Sequence, residues 1–358
     1  MIRSYLRARG LALAAVLTAL FFTGCITPKD KVNKATLLET TSAPESALVS
    51  EINNLASVES MRAKVDLKFE DNSYAELGIA EKYKTADGEI VVQRPANILL
   101  KVKVPFIKTD VAQMASDGTH FQVAVLQDGG SGKYKKFVKG TNSADYSPLQ
   151  RQVEELENES KEVKKNVNAF ANLRPQHFTE AMLVRPVDTS KYTYVRSTFL
   201  EEEFDINAKK KSPLRWVLRG YYLYDELAKT ADGSMRIKRR FWFDRVGSVR
   251  LARQQIFDCS GEIESDIVYG IEGAVTQNGK YKLPLSVEVT RPKEKYAMRV
   301  TYQTPRQVLI GREFPVAAFT LENSWGLEVL DLDQKLADLQ GTSAMNGKTP
   351  ESKCSVGG

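Results

Sequence analysis

From Met61 to Glu70 the chain alternates without a break: Ala63, Val65, Leu67 and Phe69 stand between Arg62, Lys64, Asp66, Lys68 and Glu70. A period of two puts every apolar side chain on one face of a strand and every charge on the other. Such a strand must bury one side against something and leave the other wet. The pattern recurs along the chain. Tyr74 to Lys84, Glu89 to Gln93, Ile98 to Val104, Val111 to Ala115 and His120 to Leu126 read as strands. They are divided by Asp71-Asn72-Ser73, Ala86-Asp87-Gly88 and Ser116-Asp117-Gly118. Strands resume over 192–200, 214–224, 235–244, 249–258, 265–270, 283–290 and 296–303, with turns at Asp232-Gly233, Ser260-Gly261 and Asn278-Gly279. Helical patterns are few: 51–60, a long one from Ser147-Pro148 to about 173, and 176–183. There is no strand–helix–strand rhythm. The expectation is a mainly β (α+β) fold: a large curved antiparallel sheet, or incomplete β-barrel, covered by helices.

The N-terminus is of another kind. Arg3, Arg7 and Arg9 precede an apolar run from Gly10 to Phe22, then Thr23-Gly24-Cys25. A basic start, a short apolar stretch and small residues before a cleavage point make a secretory signal. The run is well short of the ~20 residues a membrane-spanning helix needs. Phe22-Thr23-Gly24-Cys25 resembles the lipobox of bacterial lipoproteins, which implies a lipid on Cys25. Ile26, where an inner-membrane retention signal would carry aspartate, implies the outer membrane. The expected organisation is a signal peptide with lipobox over 1–24, a flexible tether over 25–47, a folded domain over 48–335 with a helical insertion at 147–183, and a disordered tail over 336–358.

Charge excludes one class of function. The net charge is +6, and removal of the three signal arginines leaves 48 basic against 45 acidic residues. That is too little for a nucleic-acid binder. Basic clusters at 133–139, 209–211 and 236–240 read as solvated strand edges and loops, or as contacts to anionic lipid headgroups. Two cysteines remain beyond Cys25. Cys259 and Cys354 could bridge in an oxidising envelope.

Between Gly88 and Leu327 four motifs occur in order. Gly88-Glu89-Ile90-Val91-Val92-Gln93-Arg94-Pro95 comes first and Ser116-Asp117-Gly118 second. Phe241-Trp242-Phe243-Asp244 with Phe257-Asp258-Cys259-Ser260-Gly261 is third, and Phe319-Thr320-Leu321 with Trp325-Gly326-Leu327 is last. Together they resemble the bacterial lipoprotein-localisation superfamily of LolA and LolB. The match is thin over 140–231, and the chain is longer than those proteins, with 148–173 and 201–234 as enlargements. The resemblance implies an incomplete barrel whose concave face holds acyl chains. It also implies acylated lipoprotein or lipid as cargo, a periplasmic carrier as a partner, and a position on the periplasmic face of the outer membrane.

The resemblance gives residues their roles. Arg94 matches the arginine that bonds the helical lid and controls its opening. Pro105-Phe106-Ile107 matches a loop that dips an apolar side chain into a membrane. Val65, Leu67, Phe69, Leu99, Phe121, Val123, Trp242 and Phe243 are candidate cavity-lining positions, with a filled core as the alternative. An enzyme is not expected. Only His120 and His177 exist, without metal-ligand spacing. Gly129 to Tyr134 lacks the first glycine and the Ser/Thr of a phosphate loop. No metal or cofactor is expected beyond the lipid on Cys25, and the protein is expected to be a monomer. The alternative reading is an envelope sensor or scaffold that binds a protein partner with the same fold.

Overall fold

The computed structural model describes residues 35–71, 81–82, 86–103, 109–127, 135–149, 175–205 and 208–345. They fall into two compact units, one of 35–37 with the described residues of 202–218, the other of the described residues of 38–201 and 219–345.

In chain order the elements begin with strand β1 (Thr36–Leu37) and helix α1 (Glu45–Ala56). Then come β2 (Ser60–Asp71), β3 (Glu81–Lys82), β4 (Ala86–Gln93), β5 (Asn97–Lys103), β6 (Asp110–Ser116), β7 (His120–Val125) and β8 (Lys136–Thr141). Helix α2 (Gln176–Met182) separates these from β9 (Thr193–Phe204), β10 (Trp216–Lys229), β11 (Met235–Asp244), β12 (Arg250–Phe257) and β13 (Ile263–Tyr269). The series closes with β14 (Glu272–Val275), β15 (Tyr281–Pro284), β16 (Ser286–Arg291), β17 (Tyr296–Tyr302), β18 (Leu309–Ile310), β19 (Glu328–Asp331) and helix α3 (Leu332–Met345).

The smaller unit is built around a strand end. Thr36 and Leu37 lie parallel to Val217 and Leu218, and Thr36 Oγ1 donates to Pro213 O at 2.9 Å. Ser212 caps the single 3₁₀ turn Pro213–Arg215 by accepting from Leu214 N–H. Phe204 packs on Trp216, with ring centroids 4.7 Å apart.

In the larger unit the sheet runs β9-β10-β11-β12-β13-β16-β17-β2-β4-β5-β6-β7-β8-β19. Each neighbouring pair from β10 to β8 is antiparallel, whereas β19 joins β8 in parallel. The sheet is therefore curved, open and mixed, not wholly antiparallel. β14 and β15 form a separate hairpin. β2 behaves as its alternation demands. Met61, Ala63, Val65 and Leu67 are buried, while Arg62 and Lys64 are exposed.

Glycines allow two close features. Gly118, at φ +91°, turns the chain between β6 and β7, where Asp117 Oδ1 accepts from the N–H groups of Thr119 and His120. Gly140 lets β8 approach its neighbours: a Cβ there would sit 2.5 Å from Tyr146 Oη and 2.9 Å from Phe121 Cζ.

Both inner helices lie in one continuous apolar core with the concave face. Leu48, Ile52 and Leu55 of α1, and Phe178 and Ala181 of α2, share it with Val65, Ile90, Leu100, Phe121, Val138, Phe243 and Val289. α1 packs on β12, and α2 on β4, β5 and β16.

Three expectations are corrected here. α1 spans Glu45–Ala56 rather than 51–60, because Leu48 extends the apolar stripe a turn earlier and Glu45 suits the first turn. Val58 is buried but lies past the helix end, where Ser57 Oγ donates to Asn54 O. The stretch 38–47 is not a free tether. Thr41 N–H donates to Arg245 O, the Arg245 side-chain Nε donates back to Thr41 O at 3.1 Å, and Ala43 N–H donates to Tyr222 Oη. Arg196 and Arg245 stack on the Tyr222 ring, 3.9 and 4.3 Å from its centroid. The C-terminal tail begins later than 336, since α3 runs to Met345 with Leu336 and Leu339 against the core. Thr141 Oγ1 donates to Asp333 Oδ2 at 2.8 Å, and Tyr146 Oη bonds Asp333 Oδ1.

Candidate functional site

The arginine of the Arg-Pro motif sits in the turn between β4 and β5, half-buried, before a cis peptide bond to Pro95. Its guanidinium binds three backbone carbonyls. Nε donates to Val58 O at 3.0 Å, and Nη2 donates to Ala56 O at 2.9 Å and Val184 O at 2.8 Å. Ala56 ends α1 and Val184 follows α2, so one side chain ties the C-terminal ends of both inner helices to the sheet rim. A fixed fork of donors suits carbonyls arriving from two directions. A cation is also favoured where helix carbonyls are left over. Burial lowers the Arg94 pKa from its ordinary value, and Glu59 opposes that shift.

The chain after α2 is held from other sides as well. Asn53 of α1 accepts from Val187 N–H at 3.1 Å. Arg239, fully buried, donates to Arg185 O at 3.2 Å and Pro186 O at 3.4 Å. Its charge is met by Glu226, also fully buried, through Nε to Oε1 at 2.9 Å and a second bond to Oε2. Tyr194 Oη donates to the same carboxylate at 2.8 Å, and burial first, then Glu226, pushes its pKa up to about 12. The basic cluster at 236–240 is thus not uniformly solvated. Arg239 is internal, and Arg240 is paired with Asp225.

The eight cavity candidates divide. Val65, Leu67, Phe121, Val123 and Phe243 are buried in the core beneath the helices. Phe69 is half-buried at its margin and stacks on Tyr296, 5.7 Å between centroids. Trp242 and Leu99 are not inner residues. Trp242 belongs to a separate cluster with Tyr221 and Leu223, because successive strand residues face opposite ways and Phe243 takes the inside. Leu99 stands between the core residues Ile98 and Leu100, in register with Val91 and Ala115. The segment after β18 crosses that side of the sheet. Phe314 exchanges bonds with the Gln93 side chain, Leu321 N–H donates to Gln122 Oε1, and the turn Val316–Phe319 packs on β5 with Phe319 buried.

Cys25, Pro105, Phe106, Ile107, Cys354, the glycine-rich 129–134 and the greater part of the expected helix at 148–173 lie outside the described residues. Cys259 is disulfide-bonded and occupies the turn opened by Asp258. His120 is exposed beside Asp117, and His177 is buried with Nδ1 2.7 Å from Tyr296 Oη. Among the described residues no cluster of His, Cys, Asp or Glu is placed to hold a metal ion, and no helix is long and apolar enough to cross a membrane.

The sequence matches no family model and no curated protein. Solved structures to which the chain is similar include three bacterial proteins. A DUF1329 family protein from Desulfovibrio piger has 11% identity and a TM-score of 0.39, over 79% of this chain and 99% of that one. A LolA superfamily protein from Nitrosomonas europaea has 10% identity and a TM-score of 0.38, over 78% and 99%. A domain named for outer membrane lipoprotein sorting, from Vibrio parahaemolyticus, has 9% identity and a TM-score of 0.37, over 76% and 95%.

Proposed function

We propose that this protein is a lipid-anchored component of the bacterial envelope that accepts acyl chains between its concave sheet and its two inner helices. Cargo would be an acylated lipoprotein or a lipid, received at the periplasmic face of the outer membrane, with Cys25 as the anchor. The carrying observation is the Arg94 clasp. Three bonds from one side chain hold the ends of α1 and α2 over an apolar face. Polar ties of this kind can be exchanged for water when the helices lift, whereas the apolar surface beneath then needs hydrocarbon. Each methylene it takes up is worth about 0.8 kcal/mol. Reaction chemistry plays no part in this reading.

The test is uptake of a fluorescent acyl probe by the purified full-length protein. Arg94→Leu frees the helices, so uptake should rise several-fold while the folded core persists by circular dichroism. Equal uptake by both proteins would reject the proposal.

A second reading, a scaffold for a protein partner, is favoured by the outer side of β9. Val195 and Phe199 are each about half exposed there, and Phe199 meets Trp242 edge-on at 5.4 Å. Alanine at Val195 and Phe199 should leave probe uptake unchanged under the first reading.

A further inference from the structure

Helix α1 carries a second fastening, in its middle. Leu48, Ile52 and Leu55 take the core side, and Glu51 is left against β12 and the start of β14. Its carboxyl accepts from the backbone N–H of Leu251 and meets the side chain of Glu272 within hydrogen-bonding reach. The charged groups set against it are Glu272 from β14 and Arg250 from β12. Arg250 is engaged elsewhere, with Asp244 Oδ2 of β11 at 3.3 Å and Gly270 O at 3.4 Å. Glu45, at the start of the same helix, accepts from Tyr224 Oη at 2.8 Å.

Two ionised carboxylates cannot bond one another, since both only accept. Glu272 Oε1 is buried and has no N–H or O–H donor from any other residue. A buried acceptor without a donor is costly, and a proton on Glu51 supplies one. We infer that one proton shared by Glu51 and Glu272 fastens α1 to the wall made by β12 and β14, and that its loss loosens the helix. The electrostatics of the site agree. Burial first, then the bond and charge of Glu272, raise the Glu51 pKa from 4.5 to about 7, against the pull of the Leu251 N–H and Arg250. A carboxyl raised in the closed form binds its proton more tightly there than in the open form. The stabilisation is therefore complete below about pH 4.5 and is lost as pH rises to about 7. The fastening stands apart from the lipid-carrier reading. Only its meaning, a lid that yields as the surroundings turn from acid to neutral, rests on that reading.

Hydrogen exchange of the 45–56 segment, followed by mass spectrometry on the full-length protein from pH 4.5 to 8 and corrected for intrinsic rates, tests it. In the wild type, protection of α1 should fall with pH, by at most about tenfold per unit, up to pH 7 and then level off. The 98–102 segment of β5, which carries no carboxylate or histidine, serves as the internal reference and should not follow. Glu51→Gln supplies a permanent amide donor and should flatten the α1 profile. Glu272→Gln does the same from the other side, and tests the idea if the first variant fails to fold. A wild-type profile already flat, or a slope that survives in a folded Gln variant, would overturn it. A sloping profile in a protein that takes up no acyl probe would refute the proposed function and leave the fastening standing.

Discussion

The Arg239–Glu226 pair offers the sharpest energetic prediction. Both side chains are excluded from solvent, and the pair also serves Tyr194 and the carbonyls of Arg185 and Pro186. Arg239→Met keeps most of the volume and removes the cation. Glu226 is then a buried carboxylate facing one phenol donor, and stranding one partner of a buried pair costs about 3–5 kcal/mol. Replacing both residues, as Arg239→Met with Glu226→Leu, removes the stranded charge. What remains is the loss of bonds to Tyr194 and the two carbonyls, about 1 kcal/mol each, offset by new apolar packing. The double variant should therefore be 1–3 kcal/mol below wild type, roughly 2 kcal/mol better than the single one. With an unfolding entropy near 2.1 cal/mol/K per residue, the single variant should melt about 5–8 °C lower. Urea unfolding at pH 7 on the wild type, both singles and the double gives the coupling directly. A single variant within about 1 kcal/mol of wild type, or singles that simply add, would refute the reasoning.

Two further outcomes follow from packing. Gly140→Ala drives a methyl into Tyr146 Oη and the Phe121 ring, and should cost about 1–3 kcal/mol in a urea titration; a neutral result would mean that Tyr146 swings away freely. Phe243→Ala should cost about 3–5 kcal/mol, and Trp242→Ala clearly less, because only Phe243 belongs to the main core; equal losses in thermal melts would contradict the two-faced reading of this strand.

Much of the sheet was legible because alternation reports burial directly. β2 is the best case, since charge on every second residue leaves one face to bury. The Phe241-Trp242-Phe243 run was not resolved in the same way. When both faces of a strand are covered the alternation vanishes, and sequence cannot say which aromatic points in. Leu99 was misplaced for the same reason, with a chain crossing on its far side. The start of α1 was missed because Pro44 precedes it and no side chain caps it. Arg94 was picked out by its motif, but two of its partners are ends of helices, and backbone carbonyls leave no trace in residue type. The Glu51–Glu272 contact joins residues far apart in the chain, each an ordinary glutamate among many.

The ladder between β2 and β17 has a consequence for biogenesis. The runs from β4 to β8 and from β10 to β13 are made of hairpins between consecutive strands, and each can zip as its own residues appear. The seam that joins them pairs Val65 with Tyr302 and Phe69 with Met298. A polypeptide synthesised N-terminus first thus presents β2 with one bare margin until its last sixth has emerged. Unpaired margins recruit other chains. Arg62, Lys64 and Lys68 on that waiting strand give it the charge that keeps strangers off until its own partner arrives.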